Sequence, residues 1–221
     1  AFLEATGVAP FGSSTMLFCD GKKVRQARDV GERIVGLVKE EKRFSHFMNK
    51  ASFANGIKYI SASGGSTNAI LHTLALAGVM KLDFTLQDFD ELQSSVPVIA
   101  KLKPSAAFNI NDFNHAGGVP AVLSTIRDFL DLDTNQVLGS TLGEYLNHYN
   151  FKIDHNVIKT VENAYLKDGC FSILKGNLAP LGAVVKKSGV EPQMYHHKGP
   201  AVVFNSEEEV RDYLVNKIVE P

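Results

Sequence analysis

Between Val24 and Lys42 the apolar residues Val30, Ile34, Val35, Leu37 and Val38 recur among alternating charges. That spacing predicts an amphipathic helix with a solvated face. A second helix is expected from Asn49 to Tyr59, and Ser63-Gly64-Gly65-Ser66-Thr67-Asn68 reads as a turn opening a third over Ala69 to Ala77. Thr85-Leu86-Gln87-Asp88 has the form of a capping box with an acidic first turn, starting a helix through Ser94 that Pro97 ends or redirects. Asn111 to Leu130 reads as a helix interrupted or begun afresh at Gly117-Gly118-Val119-Pro120, because proline is tolerated only near a first turn. From Thr134 the texture changes to short β-prone runs, at Phe171 to Leu174, Ala183 to Val185 and Ala201 to Phe204, separated by Gly, Pro and Asn. A domain boundary is therefore expected near residue 133, and a last helix over Glu207 to Ile218, with Asn205 and Ser206 as candidate caps.

Composition narrows the function classes. With 44% hydrophobic residues, 221 residues suffice for one large domain or two modest ones. The formal charge of -1 provides no basic field for nucleic acid or anionic lipid. The longest apolar stretches, such as Ala116 to Leu123, fall far short of the roughly 20 residues of a membrane helix. Expected partners are therefore small molecules or further copies of the chain, with neither nucleic acid nor membrane. Cys19 and Cys170 stand far apart without a nearby His or Cys at ligand spacing. They read as buried free thiols of a reducing compartment, so the cytoplasm is expected, or an organelle in a eukaryotic cell. The start at Ala1 is expected to result from processing or truncation.

The junction at Gly64 is the local feature richest in chemistry. Gly64 and Gly65 free the backbone to turn, Ser66 or Thr67 can cap the helix that follows, and its first-turn N–H groups can receive a carboxylate. Asn68 and His72, four residues apart, share one helix face. The alternative is an ordinary capped core helix with His72 bonded to a backbone carbonyl. Ser66, Thr67 and Asn68 are candidate substrate contacts, as is Asn177, whose turn before Leu178-Ala179-Pro180 can equally use its side chain on the backbone. His115, beside the glycine pair, reads as structural or as facing a cleft. His196 and His197 read as a surface pair, since adjacent residues of a strand face opposite ways and make a poor metal clamp.

The phrase Gly64-Gly65-Ser66-Thr67-Asn68-Ala69-Ile70-Leu71-His72 is followed in order by Leu86 to Phe89 with Pro97, Ala100 to Ser105, and His115 to Val122. Lys175 to Pro180, Gly182 to Lys186, Gly199-Pro200-Ala201 and Phe204 to Glu208 continue the series. Together they resemble the dihydroxy-acid and phosphogluconate dehydratase family over nearly the whole chain. Lys101-Leu102-Lys103-Pro104-Ser105 and the Gly117 to Val122 phrase resemble the dihydroxy-acid branch more closely. The resemblance implies an α/β chain: 1–133 as the C-terminal part of an N-terminal α/β/α domain, and 134–221 as the first part of a swivelling β-barrel.

It also implies a hydro-lyase that converts 2,3-dihydroxy acids to 2-oxo acids in branched-chain amino-acid synthesis. A base takes the C2 proton and the C3 hydroxyl leaves to a Lewis acid, a role suited to an iron-sulfur cluster helped by Mg2+. In the family the cluster thiolates lie N-terminal to the matched region, the serine base lies C-terminal to it, and magnesium carboxylates come from both flanks. No catalytic residue and no metal ligand is therefore assigned here, and the chain is expected to be an internal fragment, inactive alone, of an intact homodimer. Departures are the short Thr134 to Thr141 stretch, the Val161 to Asp168 approach, which lacks the usual prolines, and Cys170. A sugar-acid dehydratase and a noncatalytic remnant that binds a small acid or a partner are the alternatives.

Overall fold

The computed structural model describes residues 1–149 and 152–216. Its described helices are α1 (Phe2–Ala5), α2 (Gly21–Lys39), α3 (Phe44–Phe47), α4 (Lys50–Ala62), α5 (Thr67–Met80), α6 (Leu86–Ser94), α7 (Ile110–His115), α8 (Gly118–Thr125), α9 (Leu142–His148) and α10 (Glu207–Asn216). Phe171–Leu174 (β1) and Ala183–Lys186 (β2) form an antiparallel pair with Phe171 opposite Lys186 and Leu174 opposite Ala183. The molecule is thus mainly helical with a small two-stranded sheet, an arrangement compatible with an α/β class. Two units are distinguished, residues 1–189 and 190–221.

Local chemistry explains the helix starts. Asn49 accepts from Ser52 N at 3.0 Å while Ser52 Oγ accepts from Asn49 N, closing a capping box ahead of α4. Thr85 and Asp88 do the same at α6, and Thr141 with Glu144 at α9. These bonds hold the Asp88 and Glu144 carboxyls below the usual carboxylate range. The stretch expected as a helix from Asn111 to Leu130 begins afresh: α7 ends at His115, Gly117 and Gly118 take φ of 110° and 60°, and Pro120 lies in the first turn of α8.

The interior of the first unit holds two apolar clusters. Val96, Val98, Ile99 and Ala100 run extended between them, fully buried. Both Ile99 N and Ala100 N donate to Ala62 O, at 2.9 and 3.0 Å, while Val98 pairs with Leu166 and Ala100 with Ile158. This segment therefore ties the end of α4 to residues 158–166 and satisfies backbone groups that water cannot reach.

Three expectations are corrected. The apolar face predicted on α2 is not buried: Ile34, Val35 and Val38 are exposed, and of its residues only Leu37 is buried. Cys19 is exposed, in contrast to Cys170. Ala201 to Phe204 is no strand, having no neighbouring segment to complete a ladder among the described residues. In the second unit α10 stacks Tyr213 on Phe204 with centroids 5.1 Å apart. Its expected extension to Ile218 lies outside the described residues.

Candidate functional site

The turn at Gly64 is fixed by packing on both sides. Gly64 has a φ of 67°, and a Cβ there would stand 2.6 Å from Ala100 O; one on Gly65 would meet Ile60 Cγ2 at 2.5 Å. Gly64 N donates to Ser61 O and Gly65 N to Ile60 O, so the last carbonyls of α4 are satisfied as the chain reverses. Ser66 caps α5, its Oγ accepting from Asn68 N at 3.3 Å. Of the two caps proposed from sequence, serine holds the position and Thr67 is the first helical residue.

This turn lines a cavity of about 900 Å3 together with Thr15, Tyr59, His72, Lys103 and Lys186. The neighbouring Ser14 and Thr15 are held from below. Glu4, fully buried, accepts from Gly12 N at 2.8 Å, Ser14 N at 2.6 Å and Ser13 Oγ at 3.3 Å, and also from Ser14 Oγ. Four donors compensate the carboxylate for its lost water. Thr15 Oγ1 donates to Asn114 Oδ1 at 2.7 Å, joining the loop to α7. Burial pushes the Tyr59 hydroxyl well above its usual pKa, and the Glu4 charge acts in the same direction.

The structure brings Ser66, Thr67 and His72 to the cavity. Asn68 and Asn177 are exposed and do not line it. His115 is exposed beside α8, and His196 and His197 are exposed in irregular chain instead of a strand. Sequence reasoning missed Thr15, Lys103 and Lys186 at this cavity and Glu4 beneath it. The only available signal was the polar run Ser13-Ser14-Thr15; nothing local announces that Thr15 meets a residue 99 positions away.

The donor set does not suit a resident metal centre. Among the described residues no three His, Cys, Asp or Glu side chains cluster as metal ligands. Burial pushes the Cys170 thiol up to about 12, opposed by the Ser61 hydrogen bond and the nearby Lys186 charge. A thiol so disposed is a poor source of the thiolate that an iron-sulfur cluster requires. No described helix is long and apolar enough to cross a membrane.

Comparison with known proteins accounts for nearly the whole chain. Residues 1–145 match the family model described as dihydroxy-acid/6-phosphogluconate dehydratase N-terminal, and residues 156–221 match its C-terminal counterpart. A dihydroxy-acid dehydratase of Methanococcus aeolicus is 45% identical over 213 residues, which are 96% of this chain and 38% of that protein. Those of Clostridium novyi and Clostridium botulinum are 40% and 37% identical over 220 residues, 99% of this chain and 40% of theirs. The chain thus spans about two fifths of the length of these curated relatives.

Proposed function

Since this chain belongs to the dihydroxy-acid/6-phosphogluconate dehydratase family, we propose that it is a fragment of a hydro-lyase that converts a 2,3-dihydroxy acid to a 2-oxo acid. The observation carrying this reading is the named likeness, sustained at 37% to 45% identity over nearly all of the chain. In the reaction C2 loses a proton, C3 loses its hydroxyl, the two leave as water, and the enol becomes a ketone. The difficult event is departure of the hydroxyl, for which the family's iron-sulfur cluster and Mg2+ supply Lewis acidity. The described residues of this chain do not fit those groups. Their ligands and the general base belong, on this reading, to polypeptide outside the 221 residues.

What this chain contributes is a floor for the substrate. Ser66 and Thr67 stand where the first turn of a 14-residue helix opens on the cavity, a position suited to a carboxylate. Asn68 and Asn177 lie outside the lining, so the assignment is restricted to Ser66 and Thr67. Residues 1–133 then belong to the α/β/α domain and 134–221 to the first part of the swivelling barrel, with β1 and β2 an edge completed elsewhere. The intact protein is a cytoplasmic homodimer serving branched-chain amino-acid synthesis.

The test is turnover. The full-length protein carrying this sequence, purified without oxygen, should form a 2-oxo acid from 2,3-dihydroxy-3-methylbutanoate. The 221 residues alone should form none. Turnover of D-gluconate but not of the branched acid would overturn the substrate class, and turnover of neither would overturn the dehydratase reading.

A further inference from the structure

The cavity beside Ser66 has two cationic side chains in its lining. These are Lys103 and Lys186, and among the described residues no aspartate or glutamate lines it. Neither ammonium makes an ion pair among the described residues, where the lysine pairs are Lys42–Glu40 and Lys187–Asp168. Lys101, which acts on Lys186 by like-charge repulsion, has its own ammonium 5.0 Å from the centre of the Tyr165 ring. Lys186 ends β2 and is half-buried. An ammonium held near an apolar wall, without a carboxylate, gives up hydration that it regains only from water in the cavity or from an anion.

We propose that Lys186, with Lys103 in the lining of the same cavity as Ser66, forms the cationic subsite that selects the carboxylate of the substrate and discriminates against neutral polyols and amides. This rests on the dehydratase reading for the identity of the acid and deepens it by naming the residues that recognise its charge. Burial lowers the Lys186 pKa, the Cys170 thiol site opposes that shift, and Lys101 adds to it by like-charge repulsion. A carboxylate beside the ammonium reverses the balance and raises the pKa. Carboxylate binding is then complete while Lys186 is protonated, and it weakens as pH rises through the lysine pKa.

The experiment uses the full-length protein and calorimetric titration with 2,3-dihydroxy-3-methylbutanoate and with its primary amide, independently of turnover. Lys186→Met, which keeps most of the apolar stem, should weaken acid binding about tenfold to a hundredfold, as expected for loss of one charged hydrogen-bonding partner. Amide binding should change less than about threefold, and Lys186→Arg should restore most of the acid affinity. Lys103→Met, at an exposed site, should weaken the acid less, and it provides a second variant if Lys186→Met fails to fold. Equal losses for acid and amide in the variants, or wild-type protein that binds both alike, would overturn the proposal. If the wild type turns over the dihydroxy acid while the variants keep their discrimination, the subsite is wrong and the dehydratase reading stands. If it binds the acid through Lys186 without turnover, the dehydratase reading fails and the anion subsite stands.

Discussion

Two glycine-containing turns supplied candidate substrate contacts, and the fold treats them differently. At the α4–α5 turn the backbone of Gly64 lies against Ala100 O, with no space for a methyl group, and the loop borders a cavity. At the turn between β1 and β2, Gly176 has nothing within 4 Å of where a Cβ would stand. Leu178 and Leu181 there are 96% and 92% exposed. Similar ingredients thus produce one junction locked by tertiary packing and one whose tip stands free around Gly176 while its end is packed, a Cβ on Gly182 meeting Leu86 Cδ2 at 2.9 Å. A turn motif therefore specifies a reversal of direction; whether it positions a ligand depends on what packs behind it.

Substitutions should separate the two turns most strongly at the glycines. Gly64→Ala combines a left-handed φ with a clash against backbone, and should cost about 2–4 kcal/mol in urea unfolding. Gly176→Ala should stay within about 0.5 kcal/mol. Comparable losses at both positions would erase the distinction. The base of the β1–β2 hairpin is nevertheless anchored: Gln93 Oε1 accepts from Phe171 N at 3.1 Å and its Nε2 donates to Phe171 O at 3.1 Å. Gln93→Leu should therefore cost about 2–3 kcal/mol and speed amide exchange at Phe171 while leaving Gly65 protected. An unchanged Phe171 exchange rate would show that the hairpin has another anchor.

Cys170, beside that anchor, sharpens the contrast further. Its thiol keeps its proton in the folded state up to about 12, above the ordinary value of 9.0, so between those pH values the unfolded chain binds fewer protons. Stability contributed by this group is therefore complete below about pH 9 and falls as pH rises, by at most about 1.4 kcal/mol per unit. Cys170→Ala should flatten the alkaline slope of stability. Iodoacetamide at pH 8 should alkylate exposed Cys19 first and Cys170 only after denaturation. The smallest effect is expected at the hairpin tip, where Leu178→Ser should change the urea midpoint by no more than about 0.5 kcal/mol equivalent.

Much of the helical frame was legible because its signals are local. Thr85 and Asp88 are three residues apart, and Pro120 tolerates only a first turn, so neither required knowledge of a neighbour. Gly64-Gly65 announced a constrained turn for the same reason. Ala201 to Phe204 had strand composition, yet a strand requires a pairing partner, and composition cannot supply one. The α2 pattern was read correctly as helical but not as to burial, since periodicity orders residues on a face without saying what covers it. In the candidate site Ser66 and Thr67 were legible as a cap, whereas Thr15, Lys103 and Lys186 come from segments that meet the turn only through tertiary contacts. The same holds for Glu4, whose carboxylate would ordinarily be assigned to the surface.

The claim that the α4–α5 turn, and not the hairpin tip, is where this chain meets substrate can be tested by amide hydrogen exchange on the full-length protein with and without 2-oxo-3-methylbutanoate. Slower exchange at residues 64–68 and at Ser14 and Thr15, with residues 175–181 unchanged, is the expected result. Protection confined to residues 175–181, with the Gly64 turn indifferent to the acid, would contradict it.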